Sequence, residues 1–199
     1  KYTQIGVPVR EFEKIDPLKA WQELGLSENM PDGPKVVVFS GSLGSQSIKD
    51  VICNVAGMEE FKNWTFILPA VADKVEKIGE NIYVLPKIWN ASLLFSIADF
   101  AVVRAGGSTL TEVGTLGIPS IVIPWRNAAD DHQYYNAVTF LAENEGFLWD
   151  GSSNFNVFAK KLTKLYEISK DRRQIIASKL YNSAGRICED FWFALSSYF

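Results

Sequence analysis

Residues 100–124 read FAVVRAGGSTLTEVGTLGIPSIVIP. The apolar run 100–103 suits a buried strand, and Gly106-Gly107 breaks it. Ser108 or Thr109 then offers a side-chain oxygen to the orphan N–H groups of a helix start. That helix runs through Leu116, where Gly117-Ile118-Pro119 stops it. Residues 120–123 form a second apolar strand, closed by Pro124. A strand, a helix and a second strand within 25 residues make one crossover unit. Apolar rather than alternating strands belong to a parallel sheet covered on both faces.

The same alternation extends both ways along the chain. Upstream, KVVVFS at 35–40 is a strand that runs into a Gly/Ser turn, and a helix follows over 46–55. Strands are expected at 65–68 and 81–85, with a short helix over 91–98. Downstream come a helix over 131–143, a short strand over 146–149, and helices over 156–169 and 172–199. This order predicts an α/β fold, a Rossmann-like parallel sheet with helices on both faces. Ligands of such sheets bind outside the carboxyl ends of the strands. That rule selects the turn 41–46, the loop near Ile88, the turn 106–109 and the segment 130–136.

Composition narrows the function classes. The 199 residues carry 20 Lys and Arg against 23 Asp and Glu, so the formal net charge is −3 and a broad nucleic-acid surface is not expected. No apolar run is long enough for a transmembrane helix. Cys53 and Cys188 stand far apart in no metal-ligand spacing, which fits a reducing compartment. His132 is the single histidine, so a zinc site built on histidines is not expected, and no metal is. The first residues read like a chain in progress, so a piece of a longer protein is expected.

Three constellations could carry chemistry. Ser40-Gly41-Ser42-Leu43-Gly44-Ser45 follows a strand and opens a helix. Gly41 and Gly44 let the backbone come close to a ligand, and a helix N-terminus presents free N–H groups to an anion. The bland alternative is a plain strand-to-helix turn. Arg104-Ala105-Gly106-Gly107-Ser108-Thr109-Leu110-Thr111-Glu112 repeats the arrangement. Glu112 lies three residues after Thr109, so the two could form a capping box. Alternatively Glu112 accepts hydrogen bonds from a ribose diol, for which a carboxylate offers two oxygens. Asp130-Asp131-His132-Gln133-Tyr134-Tyr135-Asn136 crowds polar groups at a helix start, where an N-cap by Asp130 is the bland alternative. No D-x-D occurs, so charge on a leaving diphosphate would be met by backbone donors rather than by a bridged metal.

In this order the pieces G-x-P-V-R at 6–10, V-F-S-G-S-L-G-S at 38–45, R-A-G-G-S-T-L-T-E at 104–112, G-I-P-S-I-V-I-P at 117–124 and D-D-H-Q-Y-Y-N-A at 130–137 resemble the MurG family. These are bacterial transferases that move N-acetylglucosamine from UDP-GlcNAc onto lipid I. The resemblance implies the C-terminal, donor-binding half of a GT-B glycosyltransferase that inverts the anomeric configuration and makes lipid II for peptidoglycan. It implies that Arg10 lies beside the uridine and that Ile88 reads the uracil edge through its backbone. Ser42, with Gly41 and Gly44, would meet the diphosphate. The segment Gly107, Ser108, Thr109, Leu110, Thr111, Glu112 would wrap diphosphate and ribose, with Gly106 at its head. Gln133 would hold the sugar hydroxyls, with Asn136 close by. Leu43 and Ser40 depart from the family's usual glutamine and glycine.

The family's N-terminal half, with its glycine loops and its histidine, has no counterpart here. The catalytic base and the lipid I site are therefore expected outside this chain, on an enzyme peripheral to the cytoplasmic face of the membrane. Expected organisation is a linker and first element over 1–14, a UDP-sugar domain over 15–185, and a C-terminal helix over 186–199 that packs on the absent half. No cofactor is expected; UDP-GlcNAc is a substrate. Competing readings are another UDP-sugar enzyme (a UDP-GlcNAc 2-epimerase, a glycolipid synthase or a split glycosyltransferase), a non-catalytic nucleotide module, and an NAD-dependent dehydrogenase. The last is disfavoured because no G-x-G-x-x-G with a following acidic residue occurs.

Overall fold

The structure is a computed structural model and describes residues 10–40, 46–125, 131–151 and 154–170. The sheet has seven strands: β1 (Lys35–Phe39), β2 (Thr65–Leu68), β3 (Glu76–Ile78), β4 (Ile82–Val84), β5 (Phe100–Arg104), β6 (Ser120–Ile123) and β7 (Gly146–Leu148). Their order across the sheet is β3-β4-β2-β1-β5-β6-β7. All neighbours are parallel except the edge pair β3–β4, which is antiparallel. The helices are α1 (Pro17–Glu23), α2 (Gln46–Ala56), α3 (Ala91–Ile97), α4 (Gly107–Leu116), α5 (His132–Glu143) and α6 (Phe155–Lys170), with a short 3-10 turn at Glu59–Phe61. The expected Rossmann-like α/β fold is the observed one.

Alternation of side chains along each strand explains why the runs are apolar throughout. Val36 and Val38 of β1, with Phe100 and Val102 of β5, face α2 and α6 through Ile48, Ile52, Phe158 and Leu162. Val37 points the other way, onto Trp21 of α1 and Leu94 of α3. Ala101, Val103 and Val122 meet α4 and α5 through Leu110, Val113 and Phe140. Each such large apolar side chain stabilises the fold by about 1.5–3 kcal/mol when buried.

The expected strands and helices lie within a residue or two of their observed bounds. Two elements were not anticipated. α1 begins at Asp16-Pro17, with the Asp16 carboxylate accepting from the N–H groups of Leu18 and Lys19 and a proline in the first turn. β3 forms a hairpin with β4 across a turn that holds Gly79 at φ 62°. The expected helix over 172–199, and with it Cys188 and the terminal segment 186–199, lies outside the described residues.

Chain order and spatial order diverge at β1. From β1 the chain builds outward through β2 to β4, then returns to lay β5 on β1's other flank. The carboxyl ends of β1 and β5 therefore feed their helices to opposite sides, which opens a crevice between them. Glycine keeps the distant edge close: a Cβ on Gly146 would stand 2.0 Å from the Ser120 carbonyl oxygen.

Candidate functional site

At the end of β5 the chain enters α4 without a side-chain cap. The N-cap residue is Gly106, and among the described residues no side chain accepts from the first turn. Neither Ser108 nor Thr109 caps the helix, and the Thr109–Glu112 capping box does not form. Glu112 turns instead to Arg10, whose Nε donates to its Oε1 at 3.0 Å. The uncapped N–H groups of α4 are left facing the crevice end of the sheet. Among the described residues, a Cβ on Gly106 or Gly107 would meet nothing within 4 Å, and neither glycine has a positive φ. Neither internal packing nor backbone conformation accounts for these two glycines. They keep open a surface that an external group can approach.

The Arg10–Glu112 pair joins residues 102 apart in sequence, with side chains 55% and 12% exposed. So open a pair contributes only about 0.2–1 kcal/mol to stability. Arg10 Nη1 also reaches the carbonyl oxygen of Trp89, at 3.5 Å. Trp89 follows Ile88, which packs against the apolar layer under α3. Arg10, the Ile88-Trp89 segment and Glu112 therefore come together.

Arg104 has no assigned role in that reading, yet it occupies the centre of the crevice edge. Its Nη1 donates to the Ile123 carbonyl and its Nη2 to Ser47 Oγ, each at 3.4 Å. It thus spans the ends of β5 and β6 and the first turn of α2. Burial pushes its guanidinium below the ordinary arginine value, though arginine stays cationic in proteins. The residue could have been found as the charged end of an apolar strand just before the glycines. On the adjacent strand, Ser40 Oγ is buried and has no hydrogen-bond partner among the described residues. Phe39 pairs with Val103, so Ser40 and Arg104 are the next residues along their strands. Gly41, Ser42 and Gly44 lie outside the described residues, as does Asp130.

α5 brings the remaining candidates to the same edge. The Trp125 backbone N–H donates to Gln133 Oε1 at 2.9 Å, so the amide N–H₂ of Gln133 is the end that a hydroxyl could meet. Asn136 Nδ2 donates to the Ala105 carbonyl at 3.2 Å, tying α5 to the residue before Gly106. Ser108 is exposed and Thr109 half-buried. Thr111 Oγ1 donates to the Gly107 carbonyl at 2.9 Å. Leu110 is buried in the layer under α4, so only its backbone could face a ligand. Among the described residues, no group of three His, Cys, Asp or Glu could hold a metal ion, and no helix is long and apolar enough to cross a membrane.

Comparison with known proteins gives a consistent picture. Residues 35–174 match the family described as "Glycosyltransferase family 28 C-terminal domain". A UDP-N-acetylglucosamine–N-acetylmuramyl-(pentapeptide) pyrophosphoryl-undecaprenol N-acetylglucosamine transferase from Aquifex aeolicus (strain VF5) is 33% identical over 140 residues, which is 67% of this chain and 40% of the relative. The like-named protein of Shewanella denitrificans is 26% identical over 204 residues, 94% of this chain and 54% of the relative. The chain thus spans between two fifths and just over half of these relatives' length. Among solved structures, Acinetobacter baumannii MurG superposes with a TM-score of 0.58 at 23% identity, covering 92% of this chain and 56% of that one. The kitacinnamycin glycotransferase superposes with a TM-score of 0.56 at 18% identity, covering 80% of this chain and 40% of that one. At these identities the superpositions speak to the fold alone.

Proposed function

Because this chain belongs to the glycosyltransferase family 28 C-terminal domain family, we propose that it is the donor-binding half of an inverting N-acetylglucosaminyltransferase that takes UDP-GlcNAc and makes lipid II from lipid I. The observation that carries the reading is the meeting of Arg10, the Ile88-Trp89 segment and Glu112 beside the open, uncapped start of α4. Backbone groups near Ile88 read the uracil edge, and Arg10 lies against the base. Glu112 accepts from the ribose hydroxyls. The diphosphate lies over Gly106 and Gly107, where the α4 N–H groups and the helix dipole favour an anion. Ser42, Gly41 and Gly44 meet it from the other turn.

In the reaction, the C4 hydroxyl of the N-acetylmuramyl unit attacks the anomeric carbon. The bond from that carbon to the diphosphate oxygen breaks, UDP leaves, and the configuration inverts. The hydroxyl proton goes to a base on the N-terminal half, which also binds lipid I at the inner face of the membrane. This chain supplies electrostatic stabilisation of the leaving diphosphate through preorganised N–H donors, with Arg104 as a fixed positive charge nearby. Its second contribution is orientation of the sugar by Gln133.

Calorimetric titration of the 199-residue chain tests the reading. UDP and UDP-GlcNAc should bind and NAD should not. Binding of NAD in preference to UDP would overturn it. Gln133→Ala should weaken UDP-GlcNAc by about tenfold, the worth of one hydrogen bond of roughly 1.4 kcal/mol. UDP alone should bind that variant nearly as well as the wild type. Equal losses for both ligands would remove Gln133 from the sugar.

A further inference from the structure

Arg10 lies on a strap, residues 10–16, that crosses the start of α3 before α1 begins. Fixing an arginine side chain costs rotamer freedom, and so exposed a pair as that with Glu112 returns too little to hold the backbone in place. Something other than the pair must therefore set where its backbone lies. Two contacts just beyond Arg10 do so. Phe12 is 8% exposed and meets Phe95 edge-on, with ring centroids 5.1 Å apart. The backbone N–H of Glu13 donates to Ser92 Oγ at 3.0 Å.

Ser92 is 3% exposed, an uncommon place for a hydroxyl. Its own N–H is held by the N-cap side chain, Asn90 Oδ1, at 3.1 Å. Helix capping therefore engages its backbone, and its hydroxyl is given to the strap. The residue that accepts Arg10's second contact, Trp89, precedes that cap. A single short segment, 89–92, thus holds the strap at Glu13 and receives the guanidinium at Trp89.

We propose that Ser92 is a positioning residue for nucleoside recognition: by holding the Glu13 N–H it fixes the strap so that Arg10 meets Glu112. The inference rests on the donor-site reading above. Deleting the hydroxyl leaves the part-buried Glu13 N–H without its acceptor, and the strap then moves to hydrate it.

The test uses the full chain with UDP as probe. Ser92→Ala should weaken UDP by about fivefold to tenfold, and Arg10→Ala by at least as much. The double variant should match Arg10→Ala alone, because Ser92 acts only through Arg10. A second readout needs no ligand: the Arg10 Nε–H resonance should be shifted from the free-arginine position by its contact with Glu112 in the wild type and return to that position in Ser92→Ala. The proposal is overturned if Ser92→Ala leaves that resonance unchanged. It is equally overturned if Ser92→Ala costs the same factor with and without Arg10, the result of a merely structural role. A wild-type chain that does not bind UDP would overturn the donor-site reading, and the Nε–H shift would still decide for or against Ser92 as the residue that holds the contact.

Discussion

Replacing Glu112 with alanine should weaken UDP binding by roughly 10–100-fold while leaving the fold almost untouched. Hydrogen bonds to a charged acceptor contribute about 1.5–3 kcal/mol each. Glu112 is the carboxylate that the structure sets beside Arg10, its side chain 12% exposed and its Oε1 already oriented by the guanidinium. A carboxylate oxygen has two lone pairs, so Oε2 and the rest of Oε1 remain to accept from a diol. Removing the carboxylate costs binding and leaves Arg10 in water, where a lone arginine is well hydrated. The melting temperature should therefore shift little. Calorimetry with UDP and 2′-deoxy-UDP gives a sharper reading. The wild type should prefer UDP by about tenfold if the 2′-hydroxyl donates to the carboxylate, and Glu112→Ala should lose that preference. A variant with wild-type affinity for both ligands would take the ribose away from Glu112.

Gly107→Val should separate binding from stability in the opposite way to a core substitution. Gly107 opens α4, has no positive φ, and among the described residues nothing stands within 4 Å of where its Cβ would be. A side chain there strains nothing and restricts the unfolded chain, so stability should hold or rise by up to about 1 kcal/mol. The same side chain would project over the helix N-terminus, where an anion must approach the backbone closely. UDP affinity should fall by roughly 100-fold, a loss of about 2.8 kcal/mol. A thermal melt and a titration on one sample decide it. A lowered melting temperature would mean that the glycine serves packing, and unchanged affinity would place the diphosphate elsewhere.

The central strands were legible because both of their faces are buried, which writes an unbroken apolar run into the sequence at 36–39, 66–68, 100–103 and 121–123. β3 was not, because Glu76 and Lys77 are exposed and a three-residue edge strand needs no hydrophobic pattern. Its one local signal was Gly79 with a positive φ between two short β-prone runs. At the site, the sequence singled out the glycines and Glu112 as candidates but misread how α4 begins. A capping box is a local rule, and the partner that Glu112 takes lies 102 residues away. The same limit applies to Arg104, Gln133 and Asn136. Each is polar at a plausible place in a motif, but what each one holds is a backbone atom of a different element. Ser92 left no mark at all, since a serine two residues past an N-cap reads as ordinary helix-start chemistry.

The placing of β1 between its partners sets an order on synthesis. Val36 meets Phe66 on one flank but Phe100 on the other. A nascent chain that has passed β2 and β4 still carries β1 with one edge bare, and its valines have yet to be sealed by β5. Bare apolar edges of this kind recruit other chains. Until Arg104 has left the ribosome the growing polypeptide is at its stickiest. The segment that completes the crevice is also the one that ends this exposure.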